Sequence, residues 1–176
     1  MNIFDEKTEF VLVSITCCKS NMSVLNVIHE WDIEKINLLI TYGTDLNIQD
    51  QKNEWTALTW VCYTNNIELA KLLIDKKANL NIQDMYGCSA LMWSCLNNNI
   101  EIAKILIDKK ANLDIQDLIK WTALLQTCFK NNTTIVMSLI DNKANLDVSD
   151  LDGWTALMHM CWYNNTTMAS YILEHI

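Results

Sequence analysis

Apolar residues fall along most of this chain in paired helical stripes divided by polar turns. One pair is clearest. Its first stripe, Ala57 to Thr64, follows Thr56, whose hydroxyl suits a helix N-cap. Asn65-Asn66 then stops it, because asparagine tolerates the left-handed backbone that ends many helices. The second stripe, Ile67 to Lys76, sets Leu69, Leu72, Leu73 and Lys76 at helical spacing, with Glu68 and Lys71 outward. A polar connector leads to the next cap.

The pair recurs. Trp55-Thr-Ala-Leu, Cys88-Ser-Ala-Leu, Trp121-Thr-Ala-Leu and Trp154-Thr-Ala-Leu begin 33 residues apart each time. Cys62, Cys95, Cys128 and Cys161 keep that interval, as do Asn65, Asn98, Asn131 and Asn164. Ser89, Thr122 and Thr155 repeat the cap, and Asp84, Asp117 and Asp150 close successive connectors. Asp50 closes an earlier one, 34 residues before Asp84, with one inserted residue between Gln51 and Glu54. Neither stripe could be buried alone, so neighbouring units must stack. The fold class expected is an all-α solenoid of helix-turn-helix units joined by hairpin-like loops.

These units resemble the ankyrin repeat. The family pattern D-x-x-G-x-T-P-L is matched by Asp84-Met-Tyr-Gly87-Cys-Ser89-Ala-Leu91, and its G-A-D-V-N segment by Ala111-Asn-Leu-Asp114. The resemblance divides the chain into an N-terminal helical cap (1–21), a degenerate repeat (22–50), repeats at 51–84, 85–117 and 118–150, and a truncated C-terminal repeat (151–176). In the degenerate unit Met22-Ser23-Val24 stands where Thr-Ala-Leu is expected, while Leu38-Leu39-Ile40 through Asn47 fits. The family's proline after the cap is replaced by Ala57, Ala90, Ala123 and Ala156. Its glycine after the second helix survives as Gly43 but becomes Lys77, Lys110 and Lys143. Lysines in a left-handed conformation there would each cost about 1–2 kcal/mol.

Composition narrows the function. The chain has 176 residues, a net charge of −8, no proline, and 13 basic residues that are all lysine. Without the guanidinium fork, phosphate recognition is poorly served, which argues against nucleic acid. No apolar run is long enough to span a membrane. Seven cysteines, including the adjacent Cys17-Cys18, suit reduced thiols and an intracellular setting. Abundant Asn, Ile and Lys resemble the usage of ankyrin proteins from AT-rich genomes, such as those of giant viruses or intracellular microbes.

Catalytic and metal chemistry is not indicated, and no cofactor is implied. The cysteine ladder is one repeat apart, too far to converge on one ion, and reads as a small core residue. His29, His159 and His175 are scattered. His159 and Cys161 are two residues apart on a helix, about 200° around it, and cannot form a nucleophile–base dyad. The acceptor patterns Asn131-Asn132-Thr133 and Asn164-Asn165-Thr166 read as interhelical turns. Asp45-Leu46-Asn47 with Leu39, and more weakly Asn81 with Leu73 and Leu80, resemble the motif that asparaginyl hydroxylases modify in ankyrin repeats. A structural turn asparagine is the alternative.

Function should then lie where the scaffold leaves residues free. The resemblance implies a concave face made of hairpin tips and first-helix ends. The tips carry Met85, Tyr86, Leu118, Ile119 and Leu151. The helix ends carry Tyr63, Leu96, Phe129, Trp162 and Tyr163. Trp55, Trp121 and Trp154 either join this stripe or pack between hairpins; Trp60 and Trp93 read as packing. So apolar a surface suggests a non-catalytic protein-binding module, its partner unidentified. Aspartates around the stripe (Asp45, Asp50, Asp84, Asp114, Asp117, Asp147 and Asp150) would favour basic charge on that partner. The alternatives are a scaffold self-associating through the C-terminal unit, which ends at Ile176 without a closing connector, and an adaptor segment recruiting substrate to a modifying enzyme such as a ubiquitin ligase.

Overall fold

The computed structural model describes Ile28 and residues 33–176. The expected cap over 1–21 and most of the start of the degenerate unit, with Cys17, Cys18 and His29, lie outside the described residues. Helix α1 (Ile33–Thr41) completes that unit. Four pairs follow: α2 (Ala57–Thr64) and α3 (Ile67–Asp75), α4 (Ala90–Leu96) and α5 (Ile100–Asp108), α6 (Ala123–Phe129) and α7 (Thr133–Asp141), α8 (Ala156–Trp162) and α9 (Thr166–Leu173). Each first helix packs on its own second helix and on the first helices of neighbouring units. Among the described residues there is no strand, only an isolated bridge between Ser149 and Thr155, and no helix long and apolar enough to cross a membrane.

The repeating residues form these elements for local reasons. Thr56, Ser89, Thr122 and Thr155 sit in extended backbone, and each hydroxyl accepts from the amide three residues on. Asn65, Asn98, Asn131 and Asn164 all turn left-handed, with φ between 53° and 61°. Asn66, Asn132 and Asn165 then cap the second helices through their side-chain oxygens. Asn99 does not. Its buried amide instead donates to Cys62 O at 2.6 Å, tying α5 to the preceding unit. The two acceptor-like triplets are thus turn and cap residues.

The lysines that replace glycine do adopt left-handed backbone: Lys77 at φ 68°, Lys110 at 65° and Lys143 at 69°. A second left-handed register occurs at the hairpin tips, at Glu54, Gly87, Lys120 and Gly153. Gly87 has a further constraint, since an added Cβ would come within 3.0 Å of Asp117 Cα. Hairpins here stack backbone to backbone, with Met85 N donating to Asn53 O and Leu118 N to Tyr86 O, both at 3.1 Å. Gln49 and Gln83 stitch the same hairpins by donating to Gln83 O and Gln116 O.

The core is the row of first-helix alanines and the inner stripe of each second helix, from Ile28 to Ile172. The cysteine ladder is core at Cys62, Cys95 and Cys128 but not at Cys161, which is exposed. No described first helix lies beyond α8 to cover that position. Burial pushes the Cys88 and Cys128 thiols up to about 12, and those of Cys62 and Cys95 higher still. They remain protonated and poorly nucleophilic at neutral pH.

Candidate functional site

The closing aspartates build the hairpins that carry the site. In Asp84, Oδ1 accepts from the amides of Tyr86 and Cys88, both at 2.9 Å. Asp117 does the same for Ile119 and Trp121, and Asp150 for Asp152 and Trp154. Asp50 holds Lys52, Asn53 and Trp55. This corrects the expectation of an acidic rim. Asp84 and Asp150 are buried and Asp50 and Asp117 half-buried, their oxygens turned to backbone N–H groups, so only Asp45, Asp114 and Asp147 of that set are exposed. Burial raises the Asp117 pKa, against the lowering effect of its amide donors.

Such anchoring turns the tip side chains outward. Leu118 is 72% exposed and Trp162 71%; Tyr63, Met85, Tyr86, Ile119, Phe129, Leu151 and Tyr163 are also exposed. Leu96 is the exception, half-buried. Ring contacts join hairpin to helix end within a unit: Trp55 lies 4.9 Å from Tyr63, Trp121 5.2 Å from Phe129, and Trp154 5.6 Å from Trp162. Tyr63 also meets Trp93 of the next unit, and Phe129 meets Tyr163. The residues before the caps thus pack against the first-helix ends.

The tryptophans before the caps divide. Trp55 is buried and packs between hairpins, its indole donating to Asp84 Oδ2 at 3.0 Å. Trp93 donates to the same oxygen at 2.7 Å. Trp121 and Trp154 are half-buried. They gather around His159, which sequence alone marks only as a rejected dyad partner of Cys161. His159 is 6% exposed, with ring centroids of Trp154 at 5.3 Å, Trp121 at 5.7 Å and Phe129 at 6.1 Å. Its Nε2 is buried without a hydrogen-bond partner, 3.7 Å from Asp150 Oδ2. Burial lowers its pKa, opposed by Asp150. A cavity of about 270 Å³ opens beside this histidine. Cys161, exposed where His159 is buried, lies on another face of α8, so the two form no dyad.

The two asparagines with a modification-like context are both exposed and both bridge units. Asn47 Oδ1 accepts from Asn79 N, and Asn81 Oδ1 from Asn112 N, each at 2.8 Å. Asp114 makes the equivalent bond to Asn145 N. Among the described residues, no group of three or more His, Cys, Asp or Glu side chains is arranged to hold a metal ion.

Comparison with known families gives one match. A family model described as ankyrin repeats (3 copies) matches residues 25–117 and 111–176. A search of curated proteins finds no match.

Proposed function

The chain belongs to the ankyrin-repeat family, and we propose that it is a non-catalytic module that docks a protein partner on the face formed by its hairpin tips and first-helix ends. Repeats of this family are generally protein–protein interaction modules and typically lack catalysis. The observation that carries the reading is the set of exposed apolar side chains between Tyr63 and Tyr163, standing on hairpins whose closing aspartates already hold backbone amides. Monomeric surfaces rarely leave such a stripe wet without a use for it, and aromatic side chains dominate binding hot spots.

The test separates binding from folding. Leu118→Asp with Ile119→Asp alters two side chains that support no core, so stability should change by less than about 1 kcal/mol in total. Burying either new carboxylate against an apolar partner should weaken binding by about 2 kcal/mol or more. Quantitative affinity capture would compare the wild-type chain, this double variant and Lys104→Glu on the solvent side of α5. Partners lost by the tip variant and retained by Lys104→Glu support the reading; partners kept by both overturn it.

Self-association through the last unit is the second reading, supported by Met158, Trp162, Leu173 and Ile176, all exposed there. Light scattering across a concentration series tests it, a constant monomer mass counting against it.

A further inference from the structure

The cavity beside His159 lies where the repeat register changes its side chains. Sixty-six residues earlier, Trp55, Tyr63, Asp84 and Trp93 occupy the places that Trp121, Phe129, Asp150 and His159 occupy here. There both indoles are hydrogen-bonded to Asp84 Oδ2. Here the smaller imidazole replaces the indole of Trp93. Its Nε2 stops 3.7 Å short of Asp150 Oδ2, and about 270 Å³ stays open.

The chemistry of the lining is specific. Trp121, Phe129, Trp154, Trp162 and Tyr163 present aromatic rings, and two acidic groups share the lining, Asp150 buried and Asp152 exposed. Ring faces and carboxylates both attract cations. A chain of net charge −8 adds a favourable field. Asp150 Oδ1 already holds the amides of Asp152 and Trp154, and apart from Asp150 Oδ2 and the exposed Asp152 carboxylate the walls are mainly ring carbon. A bare ammonium would lose water that these walls could not replace. An alkylated ammonium, weakly hydrated and apolar at its surface, would not.

We propose that this pocket receives the alkylated ammonium group of a methylated lysine side chain on the protein partner. The proposal rests on the reading of this face as a partner surface, but its test needs no partner. Indole N–H signals of Trp121, Trp154 and Trp162, assigned by single Trp→Phe variants, would be followed by NMR on the whole chain. The probes are Nα-acetyl-trimethyllysine amide, the neutral analogue with carbon in place of its quaternary nitrogen, and unmethylated Nα-acetyl-lysine amide.

Saturable shifts are expected with the trimethylated probe, the neutral analogue binding about 2- to 30-fold more weakly, the span of a cation–π contribution. Trp162→Ala, which truncates a side chain 71% exposed, should weaken the cation with little effect on folding. His159→Trp should restore the filled arrangement seen at Asp84 and abolish the shifts. Equal affinity for the neutral analogue, equal affinity for unmethylated lysine, or no saturable shift with the folded wild-type chain each overturns the proposal. Partners retained by the tip double variant would count against the face as the docking surface while leaving the pocket result standing.

Discussion

Asp84 offers a test of how much one buried carboxylate does for this array. It is 5% exposed and accepts four hydrogen bonds, from Tyr86 N, Cys88 N, Trp55 Nε1 and Trp93 Nε1. Asp150 accepts the same two amide bonds, but its second oxygen has only His159 Nε2 nearby, at 3.7 Å. A hydrogen bond to an ionised acceptor contributes about 1.5–3 kcal/mol net, and a buried donor left unpaired costs about 1–3 kcal/mol. Loop amides regain water when their acceptor is removed, whereas the indole of the buried Trp55 does not. Asp84→Ala should therefore cost about 4 kcal/mol and Asp150→Ala about 2 kcal/mol, the difference being the two indole bonds. Against a domain stability of about 5–15 kcal/mol, the first is severe. Urea titration by circular dichroism and tryptophan fluorescence would measure both. A double-mutant cycle of Asp84→Ala with Trp93→Phe removes the effect of position along the array, and a coupling of about 1 kcal/mol is expected. Additive costs in that cycle would refute the clamp, and an Asp150→Ala as damaging as Asp84→Ala would refute the contribution of the indoles.

Three other outcomes follow from single residues. Lys110 holds φ at 65°, so Lys110→Gly should raise stability by roughly 1 kcal/mol despite glycine's larger unfolded-state entropy, and an unchanged or lower urea midpoint would show that the lysine is not strained. Burial holds the His159 pKa below its ordinary value, so the unfolded chain takes up a proton that the folded chain resists. Stability from this group is then present above about pH 6.5 and declines as pH falls below it, and the urea midpoint should drop more on acidification in the wild type than in His159→Phe. Iodoacetamide should label exposed Cys161 in the native chain while Cys62, Cys95 and Cys128 stay protected until urea unfolds them, as peptide mapping by mass spectrometry would show.

The sequence and the structure agree wherever the cause is local. A Thr or Ser hydroxyl reaches an amide three residues on, and an Asn turns left-handed by its own preference, so caps and turns were legible at all four repeats. The left-handed lysines were legible only through the resemblance, which puts glycine at their positions. Glu54 and Lys120 were not identified as left-handed, although Gly87 and Gly153 one unit away carried the signal. The acidic rim failed because charge along a sequence does not reveal which oxygens a hairpin consumes. Asn99 departs from its counterparts because its partner, Cys62 O, lies 37 residues away in another unit.

The pocket depends most on distance. Trp121 and His159 are 38 residues apart and meet only because units stack, yet the repeat register marks the place. One turn into each first helix, residues 60, 93, 126 and 159 read Trp, Trp, Gln and His. The cysteine two residues on does not vary in this way. At residues 93 and 159 the varying position faces the closing aspartate of the preceding unit, and its identity decides what that aspartate does. Trp93 completes a clamp on Asp84; Gln126 lies buried one unit on from the one in which Cys88 stands where the others carry tryptophan. His159 is too small to reach Asp150 and leaves aromatic walls around open space. The period thus predicts where the side chains meet, while the size of one ring decides whether that meeting point is structural or available to a ligand. His159→Trp and Trp93→His exchange the two cases. The first should close the cavity beside Asp150, and the second should open one beside Asp84 at a cost of about 2–3 kcal/mol, from a lost indole bond and unfilled volume. If Trp93→His left stability unchanged, the ring at this position would not be what holds the hairpin to the helix.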